Sequence, residues 1–129
     1  MLTRTGPRTY TIDRAAFPIK ICVEAKSLPA WRVVPGEIAI IKGDVVVERQ
    51  TPVPAPSGAL TRCYAVTLPS TATPPCDILQ MISCFFDNAA PTSARYIFTI
   101  TANSGEIETT SVSPPTINPA TPILTFLYR

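Results

Sequence analysis

Fifteen prolines are spread over 129 residues, and they set the tightest limit on what this chain can become. Proline fixes φ, has no N–H to donate, and pushes the residue before it out of the helical region. The longest proline-free stretches lie between Pro35 and Pro52, Pro56 and Pro69, Pro75 and Pro91, and Pro91 and Pro114. Long helices are excluded nearly everywhere, and each stretch has room for one or two strands.

Within those stretches the dominant pattern has period two, the signature of half-buried strands. Ile19, Ile21 and Val23 alternate with Lys20, Cys22 and Glu24. Residues 37–41 and 45–49 form two β-rich runs joined by Lys42-Gly43-Asp44, a hairpin with glycine where a positive φ is needed. Leu60, Arg62, Tyr64 and Val66 alternate with Thr61, Cys63, Ala65 and Thr67 until Pro69 ends the run. Tyr96, Phe98 and Ile100 alternate with Ile97, Thr99 and Thr101, and Asn103-Ser104-Gly105 turns the chain into residues 106–113. Residues 9–12 suggest a short early strand. Residues 123–128, almost wholly apolar, read as a last strand buried on both faces, either central in a sheet or covered by a neighbour.

Residues 77–86 are ambiguous. Ile78, Leu79, Ile82, Phe85 and Phe86 fit helical spacing with Asp77 as cap, yet the same run also alternates. The strand neighbours and the short length favour a strand. The connectors are proline-rich: residues 51–58 are spaced like polyproline II, with Pro52 to Pro56 either a semi-rigid arm able to lie on a neighbour or a surface loop, and residues 69–75 and 114–122 are similar. The expectation is one all-β domain over residues 1–129, a β-sandwich of about seven or eight short strands. A partly open β-barrel, or a sandwich with one short helix near residues 77–86, is the alternative.

Charged residues make up 16% against hydrophobic residues at 46%, a charged share below the roughly 25% of an average domain. The composition is that of a folded chain with apolar surface left for a partner. The eleven lysines and arginines are dispersed and net charge is +2, which gives no footprint for nucleic acid or an anionic membrane. Residues 1–8 carry two arginines but run into Thr9, Tyr10, Thr11 and Asp13 rather than an apolar core, unlike a secretory signal. No window reaches the apolar length of a membrane span. Cytosolic synthesis is the expectation.

Histidine is absent, which removes the commonest general base and metal ligand together. Glu106 and Glu108 share a strand face, as a glycosidase pair would, but the adjacent turn and the following threonines suit a solvated hairpin edge. Asp77 with Asp87 and Asn88 lacks the alternating pattern of an EF-hand. Cys22, Cys63, Cys76 and Cys84 contain no C-x-x-C pair; their even number hints at disulfides, with three full pairings possible, but without an export signal they are expected to be reduced core thiols. Trp31 is a loop residue folded over the core end, or else an aromatic contact for a sugar, a peptide or another subunit. The five glycines are too scattered for a phosphate loop. No catalytic residue, cofactor or metal is therefore expected. The leading expectation is a non-catalytic structural or interaction module, forming a homo-oligomer or joining a larger assembly. A module binding carbohydrate or an extended peptide comes second, and a histidine-free enzyme using carboxylates or a thiol third.

Overall fold

The computed structural model describes residues 1–26, 37–56, 61–68, 77–82, 95–112 and 122–129. The chain is all-β. Its strands are β1 (Leu2–Gly6), β2 (Thr9–Ile12), β3 (Ile19–Lys26), β4 (Glu37–Lys42), β5 (Val45–Gln50), β6 (Val53–Ala55), β7 (Thr61–Val66), β8 (Asp77–Ile82), β9 (Arg95–Thr101), β10 (Ile107–Val112) and β11 (Pro122–Tyr128), with a 3-10 turn at Arg14–Ala16. They form a six-stranded sheet in the order β1-β2-β11-β8-β4-β5 and a five-stranded sheet in the order β10-β9-β3-β7-β6.

Both sheets contribute to one core. Tyr10, Ile12, Ile38, Ile40, Leu124, Phe126 and Tyr128 come from the first, and Ile19, Ile21, Val23, Tyr96, Phe98 and Ile100 from the second. Alternation places them there: in β9, Tyr96, Phe98 and Ile100 are buried while Ile97, Thr99 and Thr101 are partly exposed. The Tyr10 and Phe126 rings stack at 5.6 Å, and Phe17 meets Tyr128 edge-on at 6.1 Å. Aromatic pairs of this kind add about 0.5–1.5 kcal/mol beyond the area they bury.

Three expectations need correction. Among the described residues the strands number eleven rather than seven or eight, and β1 and β6 are two that alternation does not mark. β1 reads LTRTG and β6 reads VPA. Second, the proline-spaced run is not a free arm: Val53–Ala55 pairs antiparallel with β7. A proline fits there because β6 ends its sheet and needs no donor on its outer edge. Third, the helical alternative fails where it is described, because Asp77–Ile82 is a strand paired with both β4 and β11. Residues 83–86 lie outside the described residues.

β11 is central, lying between β2 and β8. It runs parallel to β2, with Phe126 opposite Tyr10 and Tyr128 opposite Ile12. Ile123 is an extra residue between Pro122 and Leu124 in the pairing with β8. That bulge lets two successive side chains, Ile123 and Leu124, both be buried. The apolar C-terminal strand is thus covered by its own sheet.

The two sheets meet along both sides. On one, β5 passes into β6 through Thr51 and the buried Pro52. On the other, the Leu2 N–H donates to Glu106 Oε1 at 2.7 Å, and Arg4 Nη1 donates to the Thr109 carbonyl at 3.4 Å.

Candidate functional site

The two glutamates singled out on the second hairpin have separate partners. Glu106 accepts hydrogen bonds from the Leu2 N–H and the Ser104 hydroxyl and lies 3.7 Å from the Met1 α-amino group. The Leu2 N–H, followed by Ser104, holds the Glu106 carboxyl below its ordinary value. Asp13 also pairs with the α-amino group, and that contact lowers its carboxyl in turn. Glu108 stands on β10 in register with the buried Ile100. Burial raises the Tyr10 hydroxyl, opposed by Arg4 and reinforced by Glu108. Glu106 anchors the first strand, and Glu108 stands on β10 opposite a core isoleucine.

For Cys22 and Cys63 the expectation of reduced thiols is corrected by a disulfide between them. The two residues are directly opposite in the antiparallel pairing of β3 with β7, their Cα atoms 4.0 Å apart. Because opposite residues share a face, strand pairing alone delivers both sulfurs to one place. They lie on the face of the second sheet away from the core, since Ile21 and Val23 on either side of Cys22 are fully buried inward. Cys76, Cys84, Asp87, Asn88 and Trp31 lie outside the described residues. Among the described residues no three of histidine, cysteine, aspartate and glutamate gather to hold a metal, and no helix is long and apolar enough to cross a membrane.

The feature that sequence reading passed over is the far edge of the first sheet. β5 ends that sheet, and among the described residues its outer edge has no strand neighbour. Its residues do not follow a core-in, solvent-out alternation. Gln50 and Glu48 are in register with the core residues Ile38 and Ile40, and the Gln50 amide donates to the Glu48 carboxylate at 2.7 Å. The register then slips by one residue, Glu48 facing Ile40 and Val46 facing Ile41, which leaves Val47 as a bulge. Three successive valines beside the turn, Val45, Val46 and Val47, are 62%, 39% and 44% exposed. The unbroken Val-Val-Val run beside a glycine turn was the available signal: one face of a regular strand cannot hide all three.

No family model, curated protein or solved structure matches this chain.

Proposed function

We propose that this chain is a non-catalytic interaction module that joins another copy of itself, or a larger assembly, through β5. The observation that carries the reading is a run of three exposed valines on the strand that ends a sheet, with Glu48 and Gln50 in register with core residues. An edge strand exposes unpaired N–H and C=O groups, and exposed valines add apolar area to be covered. Adding a strand there satisfies both. Full burial of one valine is worth about 1.5 kcal/mol or more, set against the several kcal/mol lost in translation and rotation on association. Because the three valines are only 62%, 39% and 44% exposed, covering them yields part of that value each, and a contact here is weak unless the main-chain hydrogen bonds of an added strand contribute as well.

Light scattering on a size-exclusion column tests this. The expected result is a mass above that of one chain at micromolar concentration, and a monomer for Val46→Lys. A monomeric wild type whose mass does not change with concentration overturns self-association. The same edge would then favour an extended peptide or a different assembly subunit adding in β fashion, read as saturable binding of strand-forming peptides that Val46→Lys abolishes.

A further inference from the structure

The outward face of the second sheet holds a chemical site independent of β5. We infer that Cys22 is the point at which small thiols and disulfides react with this domain, Cys63 acting as the resolving sulfur that closes or leaves the Cys22–Cys63 bond. One row across the sheet reads Thr109, Thr99, Cys22, Cys63, Ala55. Cys63 is 5% exposed, whereas Cys22 and its neighbour Thr99 are each partly open to solvent. Thiol–disulfide exchange proceeds in line, so a reagent attacking the Cys22 sulfur opposite its bond to Cys63 approaches from the Thr99 side. Lys20 and Glu24, two residues to either side of Cys22 and on the same face, bracket it with one positive and one negative charge. Access therefore decides the order of events.

Bond closure by a small disulfide RSSR follows. The Cys22 thiol loses its proton and attacks RSSR, forming Cys22–S–S–R and releasing one RS⁻, which takes up a proton. Cys63 then loses its proton, attacks the Cys22 sulfur and releases the second RS⁻. Two cysteine thiols give up two electrons and two protons, and RSSR becomes two RSH. Reductive opening is the reverse: RS⁻ attacks Cys22 and Cys63 departs as thiolate.

The test treats the full-length folded variants Cys63→Ser and Cys22→Ser with oxidised glutathione, quenches with acid, and locates the adduct by peptide mapping so that Cys76 and Cys84 are scored separately. The expected result is an adduct on Cys22 of the first variant, forming several-fold faster than one on Cys63 of the second. In urea the two rates should converge, because unfolding equalises access. Equal or faster modification of Cys63 in the folded chain overturns the inference, and so does a rate difference that survives in urea. Should circular dichroism show that either variant is unfolded, the reduced wild-type chain is quenched during oxidation instead. A mixed disulfide trapped at Cys22 supports the assignment, and one trapped at Cys63 overturns it.

Discussion

Gly43 opens the β4–β5 turn at φ +60°, and a Cβ added there would have nothing within 4 Å. A side chain at this position meets only its own backbone, so Gly43→Ala should cost about 1–2 kcal/mol, seen as a lower urea midpoint with an unchanged slope. Arg8 has a φ of 60° without being glycine. Replacing it with glycine should raise stability by less than about 1 kcal/mol, because relief of backbone strain is partly offset by the greater freedom of glycine in the unfolded chain. The carboxylates at the first strand make a pH prediction. Asp13 and Glu106 both lie below their ordinary values when folded. Each therefore favours the folded state at neutral pH, fully so above its unfolded value, and loses that contribution as pH falls through its folded value. The side chains are 45% and 34% exposed, so the effect is small and screened by salt. Urea midpoints taken from neutral pH down through the carboxylate range should fall less for Glu106→Gln than for the wild type; parallel curves would contradict the assignment.

Among the elements, β3 and β7 are tied twice, by ladder hydrogen bonds and by the disulfide. The bond adds no new neighbour; it fixes register, since a one-residue slip would carry Cys63 to the opposite face. Its contribution lies mainly in the unfolded chain, where it closes a loop between residues 41 apart. A loop of that length falls between the roughly 3 and 4.7 kcal/mol expected for 15 and 100 residues. The double variant Cys22→Ala with Cys63→Ala should lose up to that amount in non-reducing urea titrations and match the wild type unfolded in reductant. The β9–β10 hairpin shows the same two-faced logic in packing. Phe98→Ala, at a fully buried position, should cost about 3–5 kcal/mol. Thr109→Ala, on the exposed face, should stay within about 0.5 kcal/mol.

At the scale of the molecule, the four sheet ends are handled differently. β6 carries a proline, β1 and β10 are tied by Leu2, Arg4 and Glu106, and β5 presents valines. If β5 is covered by association, folding and association are linked, and thermal midpoints should rise with protein concentration. Val46→Lys should remove that dependence while leaving the midpoint of the dilute protein nearly unchanged, since Val46 is already largely outside the core. A midpoint independent of concentration in both proteins would leave β5 without a self-association role.

What the sequence determined by itself was local. Proline spacing excluded long helices, alternation located β3, β7 and β9, β-rich runs around turns located β4, β5 and β10, and Lys42-Gly43-Asp44 marked a turn whose glycine does adopt positive φ, because these signals depend on residues only a few positions apart. The apolar run of residues 123–128 announced a strand, and its alternative of a central place in a sheet agrees with the position of β11 between β2 and β8. The tertiary structure decided everything that couples distant segments. The parallel pairing of β2 with β11 joins residues more than a hundred positions apart, and no local pattern encodes it. The choice of Cys63 as partner for Cys22 followed from β3 and β7 being sheet neighbours in one register. The weight of β5 as a candidate site likewise rests on its place at the end of a sheet, where Val45, Val46 and Val47 stand exposed around a bulge.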